Sequence, residues 1–302
     1  MNKKKSKNNG KFVIQTLHSI PTTVDTVCGM SVYRNDRLPW IQQAVKSILG
    51  QTTKVDLFVI VLDGFVPEEI SRWLADIQKD EKSIVIIHSV DNVGLSTCMN
   101  FVIDYVRPFR PRYFFRMDSD DISVLHRFEK QINLLDKHPD VDVLGSALCE
   151  INEEGDKVGR RRLPTKHTQL LKSISRRCPF NHPTVAIRFS VFEDGYRYQP
   201  EMLNTQDYFL WVTLAANGYK FANVKEPLLH FRRINGFYKR RGRGKSLNEF
   251  KARLSAIKLL KQHSVRNYLY ALTVLSLRMM PGFVIKFAYK IDRFLLNLKR
   301  HH

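Results

Sequence analysis

Four cysteines in 302 residues are few, and Cys28, Cys98, Cys149 and Cys178 stand far apart with no CxxC pair. That excludes a disulfide framework and a cysteine-rich zinc site, and it fits a reducing compartment. Long apolar runs are also missing. A spanning helix needs roughly 18 or more uncharged apolar residues. The nearest candidate, Asn267 to Leu277, is closed off by Arg266 and Arg278. At the N-terminus Gln15, Thr16, His18 and Ser19 interrupt what would be the apolar stretch of a signal peptide, so export is not expected. No internal repeat is visible. Acid is scarce at both ends of the chain. Hydrophobic residues at 43% and charged residues at 26% leave an ordinary globular balance, which excludes a disordered chain and a multi-span membrane protein.

What is abundant is positive charge, and it is unevenly placed. The net charge is +20. Residues 1–12 hold five lysines and no acid, while residues 13–231 are nearly neutral, with 26 Lys and Arg against 27 Asp and Glu. Residues 232–302 carry 18 Lys and Arg against only Glu249 and Asp292. A near-neutral body therefore carries a short basic arm and a long basic tail. Nucleic acid and an anionic membrane surface both suit such a tail. The boundaries that follow are an arm over 1–23, a body over 24–235 and a helical tail over 236–302.

The body alternates strand-like and helix-like segments. Strands are expected at Thr26–Tyr33, Leu57–Leu62, Ser83–His88, Tyr113–Met117 and Val141–Leu148. Helices are expected at Leu38–Leu49, Pro67–Ile77, Leu95–Val106 and Val124–His138. After Asn152 the pattern loosens. A helix at Thr168–Arg176, a strand at Pro183–Arg188, a helix at Gln206–Ala216 and strands near Lys220–Val224 and Leu228–Arg232 complete the body. The βαβα rhythm predicts an α/β fold, with a mostly parallel sheet and helices on both faces. Ligands of such sheets bind beyond the carboxyl ends of the strands. Asp36, Asp63 and Asp118-Ser119-Asp120-Asp121 each follow a strand end.

Arg116-Met117-Asp118-Ser119-Asp120-Asp121 carries the most specific chemistry. Carboxylates at i and i+2, straight after an apolar strand, can aim at one divalent ion. Mg²⁺ and Mn²⁺ favour oxygen ligands and keep positions open for substrate phosphates. Taken alone, such a segment reads first as a solvated turn rich in helix-capping Asp. Its surroundings favour the metal. Ser31-Val32-Tyr33 with Asp36, Ser47-Ile48-Leu49-Gly50-Gln51-Thr52, Val61-Leu62-Asp63-Gly64 and Asn92-Val93-Gly94-Leu95 with Asn100 stand before it. Arg127-Phe128-Glu129-Lys130-Gln131, Asn181-His182-Pro183-Thr184 and Asp207-Tyr208-Phe209-Leu210-Trp211 follow it. Together these motifs resemble family 2 glycosyltransferases, the amylovoran-type exopolysaccharide transferases above all. The resemblance runs from about Thr26 to Gly242.

The resemblance implies a GT-A (Rossmann-like) fold, a nucleotide-sugar donor, a divalent metal, Mn²⁺ or Mg²⁺, and inversion at the anomeric carbon. It implies that Ser31, Tyr33 and Asp36 line the nucleoside pocket, with Asn92 on the donor side. Asp63 would accept a hydrogen bond from base or ribose. Asp118 and Asp120 would hold the metal at the donor diphosphate. Arg116 either helps with that charge or forms a structural ion pair. Asp207 matches the catalytic base that deprotonates the acceptor hydroxyl. His230 matches a third metal ligand of many GT-A enzymes, or is structural. His182 lies beside the acceptor or is a buried structural histidine. Arg240 and Arg241 either close over the diphosphate or belong to a solvated tail. Two departures stand out: Gln206 where the family usually has Glu, and Leu62 where it often has Asp.

From Phe283 to Leu298 the tail has the layout of an interfacial amphipathic helix, with Lys286, Lys290, Arg293 and Asn297 on one narrow stripe. The expected enzyme is therefore a metal-dependent, inverting transferase at the inner face of the cytoplasmic membrane. Its expected partners are a UDP-sugar donor, a polyprenyl-diphosphate-linked glycan acceptor and the anionic membrane surface, with no nucleic acid. Two rivals are a sugar nucleotidyltransferase, which would bring a Gly-rich phosphate loop to the first strand, and a nucleic-acid-binding protein, which would interleave aromatics with the tail's charge.

Overall fold

The computed structural model describes residues 12–234 and 243–279. In chain order the strands are β1 (Phe12–Gln15), β2 (Thr26–Val32), β3 (Leu57–Asp63), β4 (Ile84–Ser89), β5 (Tyr113–Arg116), β6 (Ile122–Ser123), β7 (Val143–Ile151), β8 (Lys157–Arg161), β9 (Ala186–Arg188) and β10 (Phe221–Arg232). The helices are α1 (Leu38–Leu49), α2 (Glu68–Asp80), α3 (Leu95–Val106), α4 (Arg127–Lys137), α5 (His167–Ile174), α6 (Ser190–Glu193), α7 (Gln206–Ala216), α8 (Arg243–Leu259) and α9 (Val265–Met279). All ten strands form one sheet in the order β1-β4-β3-β2-β5-β9-β7-β10-β6, with β8 hydrogen-bonded to β7.

Neighbouring side chains of β3 go to opposite cores. Leu57, Val59 and Val61 meet Met99, Val102 and Ile103 of α3. Phe58, Ile60 and Leu62 meet the layer of α1, α2 and α4, through Ile41, Ile48, Ile70 and Phe128. A strand buried on both faces reads as a continuous apolar run, and "LFVIVLD" is such a run. Each fully buried aliphatic or aromatic side chain contributes roughly 1.5–3 kcal/mol.

Strands β4, β3, β2 and β5 are parallel neighbours, so Asp63, Asp36 and Asp118 emerge at one edge of the sheet. The other half is mixed. Strand β9 runs antiparallel to both β5 and β7, whereas β7 and β10 are parallel. The predicted spans of α1, α3 and α7 match the observed ones. Differences have local causes. The two short strands expected near 220–232 are one strand, whose register shifts on either side of Pro227. Proline has no N–H to give to the ladder, and a bulge accommodates it. Helix α4 begins at Arg127 rather than Val124, because Ile122 and Ser123 pair with β10. The expected strand from Pro183 is shortened by a single 3₁₀ turn over His182–Thr184.

Two segments outside the expected 24–235 body contact it. Phe12–Gln15 pairs antiparallel with β4, extending the sheet into the basic arm. Helix α8 buries Ala252, Ala256 and Ile257, and the first two join the core of α3 and α7. Helix α9 packs against α8 and buries Ala271. Residues 280–302, with the expected amphipathic stripe, lie outside the described residues.

Candidate active site

The loop after β5 is held from three directions. Asp36 accepts the Ser119 hydroxyl at 2.7 Å and the Tyr33 backbone N–H at 3.0 Å, tying the end of β2 to the loop. Arg116, 1% exposed, pairs with Asp118 at 2.5 Å. Arg232 holds the far side. Its backbone N–H donates to Asp121 Oδ1 at 2.9 Å, its Nε to the Asp120 carbonyl at 3.0 Å and its Nη2 to Gln43 at 2.5 Å. Its guanidinium lies 5.1 Å from the Trp40 ring centroid. Arg127, fully buried, reaches the Arg116 carbonyl at 2.8 Å, and burial lowers its pKa to about 10.

The other motif residues brace the same loop. Gln51 spans from Ser123 Oγ and the Val124 carbonyl to the N–H of Phe128. Ser47 Oγ accepts the Ser123 N–H at 2.9 Å. Asn100 exchanges two hydrogen bonds with the Tyr198 backbone, and the Tyr198 hydroxyl meets His182 Nε2 at 3.1 Å. Burial, then nearby Arg116, holds the half-buried His182 well below its usual range, so its ring stays neutral.

Asp63 is largely occupied by its own chain. Its carboxylate accepts Asn92 Nδ2 at 3.0 Å, the Val93 N–H at 2.7 Å and the Gly94 N–H at 3.0 Å. These contacts build the turn that opens α3, where a carboxylate also complements the helix dipole. Gly64 makes the turn possible. Its φ is +75°, and a Cβ there would sit 2.7 Å from the Asn92 nitrogen. Gly64→Ala is therefore expected to destabilise the fold by about 1–3 kcal/mol. Urea unfolding checks this, and an unchanged midpoint would contradict it. Ser31 stays half-buried on β2, paired with Val61.

Asp118 and Asp207 line one cavity of about 370 Å³, together with His182, Asn204, Arg161 and Glu249. Asp207 enters it from the first turn of α7, and Cys178 Sγ lies 3.9 Å from Asp207 Oδ2. A larger open groove of about 730 Å³, lined by Asp104, Arg107 and Glu193, lies at the other end of α3, away from these carboxylates.

The carboxylates are crowded. Burial, then Asp118, then Asp36 pushes Asp120 up to about 7. Asp121 is likewise raised well above its usual range by burial, then by Asp120 and Asp118, and among the described residues its buried Oδ2 has no hydrogen-bond partner. Hard oxygen donors that repel one another in this way fit a divalent cation, whose charge relieves the repulsion. Among the described residues no three His, Cys, Asp or Glu side chains form a ready metal cage. His230, the expected third ligand, stands on β10. It pairs across β10 with Ile122 and Cys149, and its pKa is lowered by burial and by Lys157. Arg240 and Arg241 lie outside the described residues. Arg232, the expected end of the body's last strand, is the last residue of β10 and part of the loop's support.

The model of the family "Glycosyl transferase family 2" matches residues 29–196. The chain belongs to glycosyl transferase family 2. The amylovoran biosynthesis glycosyltransferase AmsE of Erwinia amylovora is 31% identical over 270 residues, 87% of this chain and 97% of that protein. An Escherichia coli UDP-Gal:alpha-D-GlcNAc-diphosphoundecaprenol beta-1,3-galactosyltransferase is 31% identical over 74% of this chain and 80% of its own length. Among solved structures, S. aureus TarS 1–349 in complex with UDP-GlcNAc aligns with a TM-score of 0.57 at 14% identity, covering 86% of this chain and 82% of that one. A longer TarS chain is covered to 43%. The mannosyltransferase PcManGT from Pyrobaculum calidifontis, in complex with GDP-Man and Mn²⁺, aligns with a TM-score of 0.54 at 12% identity over 93% of this chain and 84% of its own. At such identities the likeness is one of fold, and the fold is GT-A. The family 2 model ends before Asp207 and Glu249, so both cavity carboxylates of α7 and α8 come from the segment it leaves unmatched.

Proposed function

We propose that this glycosyltransferase moves one sugar from a UDP-sugar to a lipid-linked glycan, with inversion, during surface-polysaccharide assembly. The observation that carries the reading is the shared cavity of Asp118 and Asp207. One carboxylate sits at the end of the parallel strands, where a donor diphosphate binds in such sheets. The other sits across the same space, where an acceptor hydroxyl would enter.

Asp207 acts as the base. It takes the proton of the acceptor hydroxyl while that oxygen forms a bond to the anomeric carbon. The bond from that carbon to the diphosphate breaks, and the nucleoside diphosphate leaves with its electron pair. Attack from the side opposite the leaving group inverts the centre. Asp118 and Asp120 would hold Mn²⁺ or Mg²⁺, which when bound offsets the charge of the leaving diphosphate. Arg116 keeps Asp118 in place, and Arg232 keeps the Asp120 backbone in place. The lipid-linked acceptor is suggested by the E. coli relative, whose name specifies one. The test is transfer to an α-hexosyl diphosphate bearing a short alkyl chain, with the product anomer read by NMR. Inversion relative to the donor is expected. A product that retains the donor configuration would refute the single-displacement mechanism.

Attachment to the inner membrane face belongs to the same proposal. No helix among the described residues is long and apolar enough to cross a membrane. The basic tail offers another route. A basic residue near an anionic leaflet contributes about 1 kcal/mol, screened by salt. Deleting residues 282–302 is expected to abolish pelleting with anionic liposomes and to spare transfer to the short-chain acceptor. Equal pelleting of both proteins would sink this assignment.

A further inference from the structure

Glu249 is the sole acid between Glu226 and Asp292 in the sequence, and it lines the cavity that holds Asp207. It stands on α8, two turns into a helix that packs against α7. Its carboxylate is held by Arg253, four residues on, at 2.8 Å. Arg253 is itself fixed: it is 5% exposed, donates to the Arg176 carbonyl at 3.2 Å and lies 5.9 Å from the Tyr270 ring centroid. Asn248 ties the same turn of α8 to the Leu203 carbonyl at 3.3 Å, beside the cavity residue Asn204.

We propose that Glu249 is an acceptor-specificity residue, receiving hydrogen bonds from hydroxyls of the acceptor sugar adjacent to the one that Asp207 deprotonates. The inference deepens the transferase reading and rests on it. Gln206, the residue before Asp207, is neutral. Besides Asp118, the cavity that Asp207 enters is lined by the carboxylate of Glu249 from α8, a helix past the family-matched residues. A carboxylate is acceptor-only, and two oxygens suit two neighbouring sugar hydroxyls. The Arg253 Nη1 contact to Oε1 pre-orients the group, so less ordering remains when a sugar arrives. The ligand class is a neutral sugar ring with adjacent free hydroxyls, carried on a diphosphate.

The experiment compares wild type, Glu249→Gln and Glu249→Asp in the full chain, with the α-hexosyl diphosphate alkyl probes and the accepted UDP-sugar. For Glu249→Gln the KM for the probe should rise about tenfold or more, the scale of one charged hydrogen bond. The partition between transfer and donor hydrolysis should shift toward hydrolysis by a similar factor, while the KM for the donor stays within about twofold. Glu249→Asp should fall between the two. Probe lacking the adjacent hydroxyl should be used equally well by wild type and Glu249→Gln. An unchanged probe KM, or donor and acceptor KM rising together with a lowered Tm, would overturn the inference and leave Glu249 as a structural partner of Arg253. Donor hydrolysis by wild type without transfer to any probe would overturn the acceptor class while leaving the donor reading standing. Absence of donor turnover altogether would overturn the transferase reading itself.

Discussion

Asp207→Asn is expected to lower transfer by at least about a hundredfold, the usual scale for a general base, with donor binding preserved. The substitution keeps the size of the side chain and removes the proton acceptor. Asp207 stands in the first turn of α7, a helix anchored by the buried Tyr208, Leu210, Trp211 and Leu214. Helix α7 also has no other acid in its first turn. Single-turnover transfer and donor titration, measured together, check the outcome. Unchanged transfer would place the base elsewhere. Lost donor affinity with preserved turnover would move Asp207 to the donor side.

The second large effect concerns the loop after β5. Asp120→Ala should abolish metal-supported transfer and leave the protein folded. The loop keeps its anchors in the variant, because Arg232 holds the Asp120 carbonyl rather than its carboxylate, and Ser119 still reaches Asp36. The pKa adds a pH dependence with a definite sign. With no cation bound, burial, then Asp118, then Asp36 raise Asp120 from the usual carboxylate range to about 7. A carboxyl raised in the folded state costs stability once pH exceeds its unfolded value, and the cost is fully developed above the folded value. A divalent cation binds the deprotonated form and removes that cost. Mn²⁺ should therefore raise Tm clearly at pH 8 and much less at pH 6, and it should not raise the Tm of Asp120→Ala. An equal Mn²⁺ shift in wild type and variant would contradict the assignment.

The patterns that nominate this candidate site are local in the sequence. Asp118 and Asp120 follow an apolar strand at a spacing of two, and Asp207 opens a strongly apolar helix; these are local patterns. The parallel half of the sheet was equally local, since β2, β3 and β4 are continuous apolar runs. What could not be read was long-range. Arg232 meets Gln43 across 189 positions and Asp121 across 111. In the sequence it is one more cation at the edge of a basic tail. Glu249 was counted only as a stray acid there, because nothing local shows that α8 folds back over α7. Strand β8 escaped notice since its exposed Lys157-Val158-Gly159-Arg160-Arg161 segment is held by pairing with β7 rather than by its own burial. Asp63 shows the opposite lesson. Its place at a strand end, in a motif resembling the family's, suggests a nucleoside contact, and the sequence does not show that Asn92 Nδ2 and the N–H groups of Val93 and Gly94 also bond this carboxylate.

The most direct test is release of nucleoside diphosphate from a panel of UDP-, GDP- and dTDP-sugars with Mn²⁺, with and without EDTA. The account predicts turnover of a UDP-sugar, abolished by EDTA and by Asp120→Ala. Turnover that survives both, or no turnover of any sugar nucleotide, would contradict it.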